Sequence, residues 1–396
     1  MNPRHWHVAH LAARDYYSVP RFLHERGRLA GFYTDFWLPS PLSRFEQLLG
    51  RMSGRYHPEL PGSMVRAENF RSLFRHFKTG SSVFADWVRI GKDFAERAAA
   101  DIVRRGLRPD HGILAYTSGS LELLELAAAH EIPGVHVQID PGPAWYRTRA
   151  AELRLWPGAE SDPGMPDAAY LDRVQAEWRA ASMIIVNSNH SADSLIDEGV
   201  PREKVRIVPL GSNLVPLPNP LVAPTKGEPL RILFAGSVSV AKGFPYLAEA
   251  ARMLGKGFEL HAAGGNRLHR DFIDEKQWPV RFHGHVSRAR LSELMRSSHV
   301  LVFPTLSDGF GLVQLEAMAH GLPVIATPCC GGVVEDGLSG FVVAPRSAEA
   351  IADRLQRLRA DPALLTRMSR NALARIGAFD AATTAGMLME TLDAAA

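Results

Sequence analysis

Two acids frame a glycine–aromatic–glycine turn in Asp308-Gly309-Phe310-Gly311-Leu312-Val313-Gln314-Leu315-Glu316. Such a block suits a ligand that is part anion and part polyol. The glycines let the backbone approach a ligand closely, and the free N–H groups at the start of a helix favour an anion. Glu316 falls about one turn into that helix, where a carboxylate suits sugar hydroxyls better than phosphate. Asp308 lies in the loop, on the other side of the anion site. The flanks agree: His299 to Phe303 reads as a short buried strand ended by Pro304, and Gly321 reads as a helix stop with Pro323 just beyond. Over this stretch alone, an ordinary strand–loop–helix unit with a capping Asp would read the same way.

A second block reads independently. Arg231 to Ala235 forms a strand pattern, Gly236-Ser237-Val238-Ser239-Val240-Ala241-Lys242-Gly243 a loop, and Phe244, Leu247, Ala251 and Leu254 a helical apolar stripe. A glycine turn after a strand, with one lysine before the helix, suits a diphosphate: backbone N–H groups plus a point charge. Between the blocks, Glu259 to Ala263 reads as a strand ending in Gly264-Gly265. Val280 to Val286 reads as a short strand and loop, and Ser287 as the cap of a helix from Arg288 to Ser298. His283 and His285 alternate on a strand without a third ligand nearby, which does not make a metal site.

Together these blocks resemble the retaining glycosyltransferases of family four, glycosyltransferase group 1, which have the GT-B fold. The resemblance is strong from about Met183 to Val343 and weaker before that. It implies two Rossmann-like β/α/β domains facing a deep cleft, with a nucleotide sugar held mainly by the second. Carried over, Glu316 holds the ribose and Asp308 touches the transferred sugar. The diphosphate meets Gly236, Ser237, Lys242 and the backbone of Gly309, Phe310, Gly311, Leu312 and Val313. His283 stands beside the nucleotide base. The chain departs from the family in having Asp308 where Glu is usual and Ser237 where an Arg grips phosphate. The resemblance further implies a reaction that needs no cofactor or metal ion.

The strands expected in the first half are Trp6 to Leu11, Ile113 to Thr117, Val135 to Ile139, Met183 to Val186 and Val205 to Val208. A Pro- and Gly-rich stretch from Pro209 to Pro229 reads as an interdomain connection. The expected division is residues 1–215 for the acceptor and 216–378 for the nucleotide sugar, with 379–396 a helix crossing back. The loop after the first strand, Ala12 to Tyr17, has no glycine. A helix entered through Pro20 follows, and Arg14 could stand in for the cation missing at Ser237. For catalysis the strand end Val135-His136-Val137-Gln138-Ile139-Asp140-Pro141-Gly142 puts Asp140 at the expected rim and His136 inside the strand. Asp140 either orients an acceptor hydroxyl and stabilises growing positive charge, or only opens a Pro-Gly turn.

The chain has 396 residues, 46% hydrophobic and 22% charged, as in a soluble two-domain protein. No window resembles a membrane span or a signal sequence. Cys329 and Cys330 are adjacent, so they supply neither a disulfide framework nor zinc spacing. A reducing cytoplasm is the simplest setting. Residues 1–110 hold eighteen Lys or Arg against eleven Asp or Glu. Between Ser40 and Lys92 the basic residues interleave with aromatic and aliphatic ones. That pattern suits either an anionic membrane surface, at the inner face of the cytoplasmic membrane, or a core face backed by a solvated one. Nucleic acid is disfavoured by the other blocks.

The function expected is transfer of a hexose from a nucleoside diphosphate sugar to a hydroxyl acceptor, such as a lipid-linked or polysaccharide intermediate, in bacterial cell-surface glycan synthesis of the exopolysaccharide or lipopolysaccharide type. The alternatives are a non-catalytic nucleotide-sugar-binding protein, and another GT-B enzyme such as a nucleotide-sugar epimerase or a phosphorylase. A dinucleotide dehydrogenase ranks last, because no Gly-x-Gly-x-x-Gly follows the first strand.

Overall fold

The computed structural model describes residues 3–38, 55–69, 83–162 and 164–395. Short aliphatic runs form the strands, and the long connections between them, most carrying helices, allow parallel pairing. The first half supplies β1 (His5–His10), β2 (Leu29–Thr34), β3 (Val65–Ala67), β4 (His111–Tyr116), β5 (Gly134–Gln138), β6 (Met183–Val186) and β7 (Val205–Ile207). They pair in parallel in the order β3-β2-β1-β4-β5-β6-β7. The second half supplies β8 (Leu230–Ala235), β9 (Phe258–Ala263), β10 (Val280–Gly284), β11 (Val300–Phe303), β12 (Val324–Ala326) and β13 (Gly340–Val342). Their order, again parallel, is β10-β9-β8-β11-β12-β13.

Each sheet reverses its winding once, between β1 and β4 in the first and between β8 and β11 in the second. A crevice opens at the carboxyl ends of strands at such a switch point. The loops that emerge there are Ala12 to Tyr17 after β1, Gly236 to Gly243 after β8 and Pro304 to Leu312 after β11. The sequence blocks thus sit where the topology leaves room for a ligand.

Strands β6 and β11 are buried along their whole length, as parallel strands covered on both faces must be. Helix starts are capped as their residue types demand. Ser287 accepts the N–H of Arg290 at the head of the helix Arg288–Ser297, and Asp380 accepts that of Thr383 at the head of the helix Ala381–Asp393. The first helix spans Ser18–Glu25 and follows a single turn at Asp15–Tyr17.

The two sheets are tied together at several places. The stretch between β7 and β8 carries no regular element beyond a bridge of Ser212 to Asp380. The helix Ala381–Asp393 then packs Ala385, Leu388, Met389 and Leu392 into the core of the first domain, and Asp393 pairs with Arg28 at 2.6 Å. A second crossing was not read from the sequence. After β5 the helix Pro143–Leu155 leads into residues 156–162, which dock on the second domain. Ala159 is wholly buried in that domain's core, and Trp156 packs edge-on against Tyr246, Phe272 and Trp278. His190 Nε2 also meets Ser307 Oγ at 3.3 Å.

Much of the basic, aromatic stretch from Ser40 to Lys92 lies outside the described residues. Within its described part, Phe84 packs on Tyr146 and Tyr170, while Trp87 is 42% exposed. No described helix is long and apolar enough to cross a membrane.

Leu392 has no exposed surface. Its truncation to Ala should lower the unfolding free energy by about 2–4 kcal/mol in denaturant titration. A loss below about 0.5 kcal/mol, the range of surface substitutions, would mean that the terminal helix does not complete the first domain's core.

Candidate functional site

The loop after β8 is held by its backbone. The N–H groups of Gly236 and Val238 bond to Ala263 and Gly265 carbonyls, and that of Gly243 to Val240. The N–H of Val240 is taken by the Glu160 carboxylate at 2.5 Å, and that of Lys242 by Ser239 Oγ at 3.3 Å. The N–H groups of Ser237, Ser239 and Ala241 have no hydrogen-bond partner among the described residues. Alternate N–H groups left open, with a lysine beside them, form a donor set fit for an anion. Gly243 sits at φ +67°, and a Cβ there would lie 1.9 Å from the Pro304 carbonyl oxygen, so only glycine lets this loop meet the end of β11.

The loop after β11 meets it. The Lys242 ammonium forms an ion pair with Asp308, both side chains being largely buried, and lies 5.8 Å from the Phe303 ring centroid. The Asp308 N–H donates to the Cys329 carbonyl at 3.0 Å, and the buried Cys330 thiol bonds to Thr327 O. The adjacent cysteines thus brace this loop. Burial pushes the Cys330 thiol well above its ordinary value. Gly311 takes φ +81°, turning the chain into the helix Val313–Ala319. The Phe310 ring is buried against Phe379, so this residue offers a ligand its backbone only.

Glu316, on that helix, lines a cleft of about 410 Å³ shared by both domains, with Leu312, Arg288 and Leu291 on one side and Asp15, Arg21 and His57 on the other. Burial holds its carboxyl above the usual glutamate range, and the positive charge of Arg288 partly offsets this. Asp308 and Lys242 are not among the residues lining that cleft.

Asp140 is held at the rim. Its Oδ1 accepts the N–H of Gly142 and the Gln138 amide, both at 2.9 Å. Gln138 in turn accepts the Trp178 indole N–H and contacts His136, which also meets Ser120 Oγ at 2.9 Å. His136 is wholly buried in these contacts, and burial lowers its pKa to about 4. Asp140 is brought to the β11 loop by backbone contact. A Cβ on Gly309 would stand 2.0 Å from Ile139 O and 3.3 Å from Asp140 Cα.

His283 stands elsewhere. It stacks on His261 with ring centroids 5.2 Å apart, Nε2 lying 3.0 Å from His261 Nδ1, on the edge of the second sheet. Ser237 is partly exposed. The cation bonded to its loop through the backbone is the exposed Arg267, whose N–H donates to Val238 O at 3.0 Å. Arg14 does not line the cleft. No described group of three or more His, Cys, Asp or Glu could hold a metal ion.

Sequence reasoning missed Arg21, His57, Arg288 and Asp15 as residues of the cleft. Asp15 lines it, burial raises its carboxyl to about 6, and the carboxylate has no hydrogen-bond or ion-pair partner among the described residues. It sits at φ +45° between Ala12 at +65° and Tyr17 at +58°. Left-handed conformation in a non-glycine residue costs roughly 1–2 kcal/mol and clusters at functional loops. The available signal was an acid in the loop after the first strand.

Comparison with known proteins bears on the fold and on the second domain. The family model of the glycosyl transferases group 1 matches residues 229–361. A D-inositol 3-phosphate glycosyltransferase of an Arthrobacter species is 29% identical over 69% of this chain and 67% of its own length. One from Streptomyces griseus is 40% identical over 29% of this chain and 25% of its own. Two further Streptomyces relatives match over 57% and 53% of their length, so the chain spans between a quarter and two thirds of the curated relatives it matches. Among solved structures, Anabaena HepE in complex with UDP superposes with a TM-score of 0.65 at 17% identity, covering 98% of this chain and 100% of that one. The sucrose-phosphate synthase of Thermosynechococcus elongatus gives 0.66 at 20% identity, covering 99% and 100%. The chain therefore has the GT-B fold of two parallel-sheet domains, and its residues 229–361 match the model of the glycosyl transferases group 1 family.

Proposed function

We propose that this chain is a retaining glycosyltransferase that moves a hexose from a nucleoside diphosphate sugar to a hydroxyl acceptor. The observation that carries the reading is the Lys242–Asp308 pair, which joins the open N–H groups of the β8 loop to the acid block that ends in Glu316 at the interdomain cleft. Relatives named as glycosyltransferases and a structural neighbour crystallised with UDP-glucose support it.

In this reading the open N–H groups and the Lys242 ammonium take the diphosphate charge, without a metal ion. Asp308 is then shared between Lys242 and a sugar hydroxyl. Glu316 accepts from the ribose hydroxyls. The acceptor oxygen bonds to the anomeric carbon on the face from which the phosphate oxygen leaves. Its proton passes to that leaving oxygen, so no strong protein base is required. Asp140, fixed by Gln138 and Gly142, orients the acceptor or stabilises positive charge on the sugar.

The acceptor we propose is a glycan or lipid-linked intermediate of the bacterial cell surface, glycosylated at the inner face of the cytoplasmic membrane. The second reading is a phosphorylated polyol. It is favoured by the relatives named for D-inositol 3-phosphate and by Arg21, Arg288 and His57 in the cleft.

Incubation with a panel of nucleoside diphosphate hexoses and both acceptor classes, followed by NMR of the products, should give a new glycoside with the donor's anomeric configuration. An inverted product would overturn the retaining mechanism. Hydrolysis alone, or no turnover with any pair, would favour a non-catalytic binding protein.

The Glu316 carboxyl accepts ribose hydroxyls best when ionised. Because its folded pKa is raised, donor affinity should be full near neutrality and fall on acidification, with a midpoint above the ordinary glutamate range. Glu316→Gln should bind more weakly and lose this acid limb. A donor KM independent of pH in the wild type would remove Glu316 from the ribose.

A further inference from the structure

The β8 loop of the second domain is completed by a carboxylate from the first. Glu160 lies beyond the helix Pro143–Leu155, in the crossing segment that carries Trp156 and Ala159 into the second domain's core. Its Oε1 accepts the Val240 N–H at 2.5 Å, and its Oε2 meets Arg149 Nη2 at 3.0 Å. Arg149 also donates to Ser161 O at 3.1 Å. Both side chains of the pair are almost fully buried, 8% and 2% exposed.

A carboxylate is an unexpected neighbour for a loop that binds an anion, since like charges repel. Arg149 removes the objection: the pair carries no net charge and leaves one strong acceptor oxygen facing Val240. Val240 is the middle of the loop, and among the described residues its N–H is the one tie there that no group of the second domain supplies. With it, the N–H groups of Gly236, Val238, Val240, Lys242 and Gly243 are all taken, and those of Ser237, Ser239 and Ala241 are left open.

A second buried contact locks the same segment. Glu152 has no exposed surface; it accepts the Tyr246 hydroxyl at 2.7 Å and the Arg346 guanidinium at 2.5 Å, both from the second domain. The crossing segment therefore cannot leave the second domain without exposing Ala159, stranding the Glu152 carboxylate and freeing the Val240 N–H.

We propose that Glu160 is a positioning residue for the diphosphate loop, so that the donor site is complete only while the segment of residues 149–162 is docked across the domain boundary. The binding part of this inference rests on the donor-site reading above; the structural part does not.

The test is amide hydrogen exchange resolved to single residues in the full chain, without and with UDP or GDP. In the free wild type the Val240 amide should be protected like those of β8 and β11, while Ser237, Ser239 and Ala241 exchange fast and slow down only with nucleotide. Glu160→Ala should release Val240 and weaken nucleotide binding by about tenfold, with strand protection unchanged. Glu160→Gln, which keeps an oxygen for Val240, should hold both near wild type and remains informative if the alanine variant does not fold. Fast exchange of Val240 in the wild type, or unchanged loop exchange in a folded Glu160→Ala, would overturn the proposal. A wild type that binds neither nucleotide would sink the donor reading while the exchange of Val240 still decides the role of Glu160.

Discussion

A carboxylate with no access to water must find a partner, because burying it alone costs far more than a domain's whole stability margin. Glu152 finds Arg346 and Tyr246 across the domain boundary, while Glu160 pairs with Arg149 of its own segment and takes the Val240 N–H across the boundary. Separating the domains would leave the Glu152 carboxylate without either partner. The two parallel sheets are thus held at one mutual placement by groups with no good alternative. The terminal helix, with Leu388 and Leu392 in the first domain's core, closes the connection from the other end. The cleft carrying Glu316 on one wall and Asp15 on the other lies between the domains joined in this way.

Inside that frame the site is mostly backbone. Parallel strands send their carboxyl ends to one edge, and the switch points of both sheets leave loops rather than helices there. Those loops approach one another more closely than side chains permit. Gly243 lies against Pro304, Gly264 against Gly236, and Gly309 against Ile139, in each case where a Cβ would come within about 2 Å of a carbonyl oxygen. What remains for side chains is a short list of charges: Lys242 paired to Asp308, Glu316 beside Arg288, and Asp140 fixed by its neighbours. A polar ligand with an anionic centre and hydroxyl-bearing ends matches this distribution.

The parts of this arrangement that depend on neighbours in sequence were legible in the sequence. Met183 to Val186 and Val300 to Phe303 are unbroken apolar runs because both faces of a parallel strand are covered, and their extents agree with the structure to within a residue. The acid pair and the Gly236 to Gly243 loop were legible because each is a local strand–turn–helix unit. Strand β2 was not: Leu29-Ala-Gly-Phe-Tyr-Thr34 breaks its apolar run at Gly31, and β13 is only three residues long. The buttress of the site was also hidden. Glu160 and Val240 stand 80 residues apart, Glu152 and Arg346 194 apart, and nothing local marks a surface helix as the bridge between domains. His283 shows the reverse limit. Strand alternation located it, but its engagement with His261 follows from the pairing of β9 with β10, which only the fold supplies.

The central claim is that the open loop after β8 and the acid block ending in Glu316 form one nucleotide site. Calorimetric titration of the full chain with UDP and GDP, without added metal, tests it directly, with Glu316→Ala and Lys242→Ala run beside the wild type. The account predicts micromolar binding of one of the two nucleotides, weakened at least about tenfold in each variant. Wild-type affinity retained in both variants would contradict it, because the nucleotide would then be bound somewhere other than between these two loops.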